Sequence, residues 1–259
     1  MPDSAEDNAA RVAAVVEPLA RASVGRVVFL VDGDRTLSPD DTSRTFLALA
    51  GLDPLVIKRR FQREGYVFSA FRFHAEMHVQ LGEAAFAELA PRVAAAAPLY
   101  PGVPDFLAAA AEVGQVFVVS AGIPRIWRSL LDRLGRPDVG VIGGIDPADP
   151  FVFGRAEKGT LATLFRQHAS RLVAVGDSDV DTEMLRLADH AVVVVDHRRN
   201  VDLLPGLVGH RSLWQIAPTG EPHPSIPELS FSTLATLARP SAPAAAVPDP
   251  IVHAADASY

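Results

Sequence analysis

The sequence predicts an α/β fold, a parallel β-sheet covered by helices on both faces with a helical insertion, and three observations carry that prediction. Short apolar runs rich in β-branched residues recur along the chain. Amphipathic helical patterns lie between them, and one long early stretch contains no strand-like run at all.

The elements follow in order. Val12, Val15, Val16 and Leu19 stand at helical spacing, so a leading helix is expected. Next comes Val27-Val28-Phe29-Leu30-Val31, too short for a helix and apolar at every position, which is the pattern of a strand buried on both faces. It ends in the polar loop Asp32-Gly33-Asp34. Similar runs at 116–119, 139–142, 172–175 and 191–195 are expected as strands, with helices over 103–113, 124–134 and 158–169. Between Thr36 and Leu99 only helical segments are legible, over 42–50, 54–63, 66–81 and 83–97. An insertion placed directly after the first strand would sit over the carboxyl edge of the sheet, where open parallel sheets bind ligands. The expected organisation is a Rossmann-like core of residues 1–37 and 99–238 with an all-helical cap at 38–98. Residues 239–259 are rich in Ala, Pro and Ser and carry too little periodic apolar surface to offset ordering entropy, so a disordered tail is expected there.

Composition narrows the function. A formal net charge of -7 offers no attraction to nucleic acid or anionic lipid. The absence of cysteine excludes thiol nucleophiles, disulfides and thiolate zinc sites. Asp3, Glu6 and Asp7 stand where a secretory signal carries positive charge, and no stretch approaches the roughly 18 apolar residues of a membrane span. The chain reads as cytoplasmic, without a membrane or nucleic-acid partner, and is silent on oligomeric state.

The loops that follow the strands hold the chemistry. Parallel strands place their carboxyl ends on one edge, so Asp32-Gly33-Asp34-Arg35-Thr36, Ser120-Ala121-Gly122 and Gly176-Asp177-Ser178-Asp179-Val180-Asp181 are expected to converge there, joined by Lys158 at a helix start. Phosphate monoesters are dianions, so attack by a carboxylate needs a cation nearby. Asp32 and Asp177 are hard oxygen ligands suited to Mg²⁺, and the metal and Lys158 would neutralise the transferring group. The Ser120 hydroxyl and the amides of the next helix start would hold phosphoryl oxygens. Asp34 is placed to protonate the leaving oxygen and then to deprotonate a water. Lys158 sits awkwardly at a helix start, where the dipole prefers anions, which favours a role with phosphate.

In this order the residues resemble the haloacid dehalogenase superfamily of phosphohydrolases, whose motifs are DxDxT, a Ser/Thr, a Lys and GDxxxD. They stand here as Asp32/Asp34/Thr36, Ser120, Lys158 and Gly176/Asp177/Asp181, framing roughly residues 26–195 with the insertion between motifs one and two. The resemblance implies a Mg²⁺-dependent phosphomonoesterase that takes a small phosphate ester through an aspartyl phosphate. Asp32 would be the nucleophile and Asp34 the acid–base. Metal ligands would be Asp32, the Asp34 backbone carbonyl and Asp177, with Asp181 orienting the lysine and metal site, and Thr36 and Gly122 beside the substrate. The helical cap and Val-Val-Ser-Ala-Gly look like the phosphoserine phosphatase branch. Asp41 stands where that branch has a substrate-facing Glu, and Arg72 in the place of its cap arginine. Val180 replaces an Asn of the branch's fourth motif and Ala121 a Gly. Both changes bear on phosphoserine as the substrate and leave the phosphoryl machinery intact. Amino-acid, sugar and nucleoside phosphates all stay open. The rivals are a phosphomutase on the same fold and a non-catalytic binding module; dehalogenation is disfavoured because it needs no leaving-group acid.

Other features have plainer readings. Asp177-Ser-Asp-Val-Asp is not a calcium loop, having Thr182 for the required Gly and Ala188 for the closing Glu. His74 and His78 flank Glu76 at the wrong spacing for a zinc protease and read as exposed or substrate-facing. Lys58, Arg59, Arg60 and Arg63 read as a solvated face, with contact to a second anionic substrate group as the sharper alternative. Phe68, Phe71 and Phe73 read as cap core.

Overall fold

The computed structural model describes residues 1–195 and 203–239, so all but Arg239 of the expected tail lies outside the described residues. Six strands form one sheet: β1 (Val27–Val31), β2 (Gln115–Val119), β3 (Gly140–Ile142), β4 (Arg171–Gly176), β5 (His190–Val194) and β6 (Leu213–Ile216). Their order is β3-β2-β1-β4-β5-β6, and every neighbouring pair is parallel.

Strand alternation divides the core into two layers. Phe29 and Val31 of β1 point to one face with Val116 and Val118 of β2; Val28 and Leu30 point to the other with Phe117 and Val119. The second face is covered by α1 (Ala5–Arg21), α8 (Arg155–Arg166) and α9 (Thr182–Leu187) through Val12, Val16, Leu161, Phe165 and Met184. The first is covered by α5 (Gly82–Ala96), α6 (Val103–Val113), α7 (Pro124–Arg133) and the short α10 (Phe231–Leu234), through Phe86, Phe106, Trp127 and Phe231. The architecture is the three-layer α/β arrangement that the strand and helix patterns predict.

Between β1 and β2 stand α2 (Thr42–Leu49), α3 (Leu55–Glu64), α4 (Phe68–Val79) and α5. The apolar faces of α2 and α5 join the sheet's own core through Phe46 and Phe86, whose rings lie 4.9 Å apart. Helix α3 has no buried residue; it leans on α4 through Phe61 and Phe71, at 4.9 Å. Among the described residues no helix is long and apolar enough to cross a membrane.

Two local expectations need correction. A sixth strand, Leu213–Ile216, extends the sheet; its short sequence includes Gln215, a polar residue buried because its amide bonds the carbonyls of His223 and Ile226. Helix α8 begins at Arg155 rather than Lys158. Its N-cap is Gly154, whose amide donates to Glu157 Oε2 at 2.9 Å, and glycine is a weak cap signal in sequence. Lys158 therefore sits one turn inside the helix, past the strongest part of the dipole.

Candidate active site

The strand order places the carboxyl ends of β2, β1 and β4 side by side, and this brings the sequence-distant loops together. Ser120 leaves β2 with its amide still bonded to Ile142 of β3, and Asp32 leaves β1 with its amide on the Val175 carbonyl of β4. Asp177 follows β4 directly. The site thus lies at the edge between β1 and β4, where the chain's winding direction reverses.

Beyond Asp32 the chain turns tightly, with the Leu37 amide donating to the Gly33 carbonyl at 2.8 Å. Arg35 holds φ 63, in the left-handed region seldom adopted by a residue with a side chain. That turn sends its guanidinium to Asp41, 2.6 Å from Oδ2. Asp34 Oδ1 accepts the Thr42 amide at the start of α2 at 2.9 Å. Asp34 forms no salt bridge among the described residues, its nearest charge effects coming from Asp41 and Arg35.

Lys158 Nζ donates to Asp32 Oδ1 at 2.5 Å and to Asp181 Oδ1 at 2.6 Å. The other oxygen of Asp181 accepts the Asp177 and Ser178 amides at 3.2 Å each. Gly176 permits this approach, because a Cβ there would stand 2.5 Å from that of Asp181. Thr36 Oγ1 lies 3.0 Å from Asp32 Oδ2 and 3.3 Å from Asp177 Oδ1. Ser120, fully buried, accepts the Gly122 amide at 3.0 Å. A Cβ on Gly122 would stand 2.3 Å from Ser43 Oγ, 2.9 Å from Asp34 Oδ2 and 3.2 Å from Ser120 Oγ, so only glycine keeps that space open.

Burial dominates the electrostatics. It raises the Asp32 carboxyl to about 6, against the Lys158 charge that lowers it. It raises Asp34 to about 7, helped by the Asp41 carboxylate and opposed by the Thr42 amide. Asp177 is pushed well above its ordinary value by burial and by the neighbouring Asp32 and Asp181 carboxylates. Burial disfavours the Lys158 charge, yet Asp181 and Asp32 outweigh it and hold the ammonium above its ordinary value.

Ligand oxygens of Asp32, Asp177 and Asp181 all lie within 4.8 Å of one another. Three buried carboxylates facing one lysine leave excess negative charge, which is the environment a hard divalent cation suits. Asp32 and Asp177 line the cavity, so they are the side chains placed to take a metal, and Asp181, off the lining, stands behind them as the lysine's second anchor. The Asp34 carboxyl stands outside this cluster, with Oδ1 on the Thr42 amide and Oδ2 toward Gly122 and the cavity.

Above this floor is a cavity of about 620 Å³, lined from the core by Asp32, Asp34, Gly122, Lys158 and Asp177, and from α2, α3 and α4 by residues that include Ser43, Arg44 and Lys58. Asp41 lines it too, N-capping α2 through the Arg44 amide. Arg72 is not brought there: its guanidinium pairs with Glu76 at 2.7 Å and reaches the Asp3 carbonyl, outside the cavity. His74 and His78 are buried rather than exposed, with rings 4.8 Å apart and the His78 ring between the carbonyls of His74 and Ser43; His74 touches the cavity wall. The basic run on α3 divides. Arg59 pairs with Asp53, Arg60 and Arg63 pair with Glu64, and Lys58 faces the cavity.

Sequence reasoning missed Ser43, which is 4% exposed and whose Oγ finds no hydrogen-bond partner. Its signal is faint, a Ser two residues beyond the helix cap. Nothing in the sequence gives Arg35 a role beyond its place in the Asp32–Thr36 loop.

A family model described as haloacid dehalogenase-like hydrolase matches residues 29–186, more than half of the chain. No curated protein matches it. Among solved structures, a protein of unknown function from Bordetella pertussis Tohama I is 15% identical, covering 73% of this chain and 98% of its own, with a TM-score of 0.57. A substrate-bound phosphoserine phosphatase is 16% identical over 73% of this chain and 92% of its own, with a TM-score of 0.52. A HAD family hydrolase from Salmonella enterica subsp. enterica serovar Typhi is 16% identical over 73% and 74%, with a TM-score of 0.51. At these identities the likeness is one of fold.

Proposed function

The chain belongs to the haloacid dehalogenase-like hydrolase family, and from that premise we propose that it is a Mg²⁺-dependent phosphomonoesterase acting on a small phosphorylated metabolite. The observation that carries the reading is the contrast between two carboxyls two residues apart. Asp32 is paired with a buried lysine, as a nucleophile beside a phosphoryl group would be. Asp34 forms no salt bridge among the described residues and burial raises it to about 7, as a proton donor to a leaving group would be.

In this reading Asp32 Oδ attacks phosphorus, the bond to the ester oxygen breaks, and Asp34 gives that oxygen its proton. A water then attacks the aspartyl phosphate and passes a proton to Asp34. The phosphorus–oxygen bond to Asp32 breaks, so phosphate leaves and both carboxyls return to their starting states. Asp32, Asp177 and the Asp34 backbone carbonyl would hold Mg²⁺, which when bound would neutralise charge on the phosphoryl oxygens. Lys158 adds to that neutralisation, and Asp181 fixes the lysine's direction. Ser120 and Gly122 border the phosphoryl oxygens, and Thr36 orients Asp32. Helices α2–α4 act as the cap, excluding water while the acyl phosphate forms. The enclosed site favours metabolites over phosphoproteins, and the chain's composition fits a cytoplasmic setting.

The test is phosphate release by the purified protein with Mg²⁺ across amino-acid, sugar and nucleoside phosphates, with Asp32→Asn alongside. Turnover abolished by the substitution and by chelation supports the reading. Isomerised ester without free phosphate would support a mutase, and turnover surviving Asp32→Asn would overturn the assignment.

A further inference from the structure

On the cap side of the cavity the charges do not balance, with Asp41 set against Arg35, Arg44 and Lys58, and the imbalance names a substrate class. Besides the acids of the floor, the cavity presents one carboxylate, Asp41. Its Oδ2 is held by Arg35 at 2.6 Å and its Oδ1 by the Arg44 amide at 3.0 Å. The position that could receive a substrate ammonium therefore already contains a cation. Two other cations on the lining, Arg44 and Lys58, form no ion pair among the described residues, although their neighbours Arg59, Arg60 and Arg63 each do.

Much of the remaining cap wall is apolar, with Gln62 and His74 among its polar members. Leu47, Leu55, Phe61 and Phe71 line it with Tyr66, and Leu55 and Tyr66 are 41% and 45% exposed. Exposed apolar side chains facing a cavity of about 620 Å³ suit a ligand with an apolar body larger than a three-carbon chain.

We infer that the substrate is a phosphate monoester with an apolar body, no ammonium group, and a second acidic group held by Arg44 and Lys58. The inference rests on the phosphatase reading for which end of the ligand carries the phosphate. Its charge preference is a separate property of the cavity and can be read by binding alone.

Three aryl phosphonates, whose carbon–phosphorus bond resists this hydrolysis, serve as probes: phenylphosphonate and its 4-carboxy and 4-aminomethyl derivatives. Their affinities are measured by calorimetry with Mg²⁺ present. The carboxy probe should bind about tenfold more tightly than the parent and the aminomethyl probe more weakly, as charge-assisted contacts dictate. The carboxy advantage should shrink towards unity in Arg44→Gln and Lys58→Gln, both exposed positions whose folding is checked by thermal unfolding. Equal affinities, tighter binding of the aminomethyl probe, no binding of any probe, or an advantage that survives both substitutions overturns the inference. Turnover of p-nitrophenyl phosphate by the unaltered protein and by Asp32→Asn is measured in parallel. Loss of the charge order with turnover intact removes only the substrate class; the charge order without turnover removes only the phosphatase reading.

Discussion

Lys158 Nζ stands 2.5 Å from Asp32 Oδ1 with the lysine side chain 1% exposed and the aspartate 10%. The same nitrogen anchors on Asp181, itself fully buried, so one cation compensates two buried carboxylates. Removing one partner of such a set leaves an uncompensated buried charge.

Lys158→Met should therefore destabilise the protein by about 3–5 kcal/mol. It should also lower kcat by roughly two to three orders of magnitude, the scale of losing one preorganised charge at the transition state. Denaturant unfolding and turnover of the same preparation check both numbers. Unchanged stability would show that Asp32 and Asp181 are not charged in the folded protein.

Asp34→Asn separates acid catalysis from the rest of the machinery. Turnover of alkyl phosphates should fall by about 10²–10⁴-fold, because their oxygen leaves poorly without a proton. The first-turnover burst of p-nitrophenol from p-nitrophenyl phosphate should fall far less, its leaving group needing little protonation, although the later hydrolysis still lacks its base. A burst lost as completely as alkyl ester turnover would contradict the acid role given to Asp34.

The clustered carboxyls set a pH dependence of stability in the metal-free protein. Asp32 at about 6, Asp34 at about 7 and the raised Asp177 all hold protons in the folded state at pH values where the unfolded chain has released them. Folding then binds protons, so stability is greatest at the acid side of this window and falls as pH rises from the ordinary carboxylate range through about 7. Mg²⁺ binding to the folded form should add stability by mass action and flatten this decline. Thermal unfolding from pH 5 to 8, with chelator and with Mg²⁺, reads the slope. A metal-free protein that gains stability across that range would oppose the assignment.

The same physics determines how much of the molecule was legible in the sequence. Asp32, Ser120, Lys158 and Asp177 could be placed together because each follows or opposes the end of a parallel strand, and topology does the rest. Side chains of the helical insertion were harder. Helical spacing gives a face but not which way it turns, so Arg72 was expected at the substrate and instead reaches Glu76 and Asp3, while His74 and His78 turned inward. The Arg35–Asp41 pair depends on a left-handed backbone at Arg35 that no residue type announces. Strand β6 was hidden because the Gln215 side chain is satisfied only by backbone groups of a later loop, the carbonyls of His223 and Ile226 and the His223 amide.

Ser43 offers a test of the cap's contribution to the floor. Its unpartnered hydroxyl, beside Gly122 and Asp34, is free to bond a phosphoryl or leaving-group oxygen. Ser43→Ala should lower kcat/KM by about tenfold, the worth of one hydrogen bond, while stability holds or rises, because a buried hydroxyl without a partner is unfavourable. Gly122→Ala should fail more severely, its new methyl overlapping the Ser43 hydroxyl. Full activity in both variants would mean the substrate does not approach this corner.

The measurement that tests the central claim most directly is chemical trapping of the intermediate. The protein is mixed with a substrate from the metabolite panel and Mg²⁺, quenched in acid during turnover, and reduced with borohydride, which converts an aspartyl phosphate to homoserine. Peptide mass spectrometry should find homoserine at position 32, dependent on substrate and absent from Asp34→Asn quenched before turnover of an alkyl ester. An unmodified Asp32 in a preparation that is releasing phosphate, or a homoserine at any other aspartate, would contradict the account.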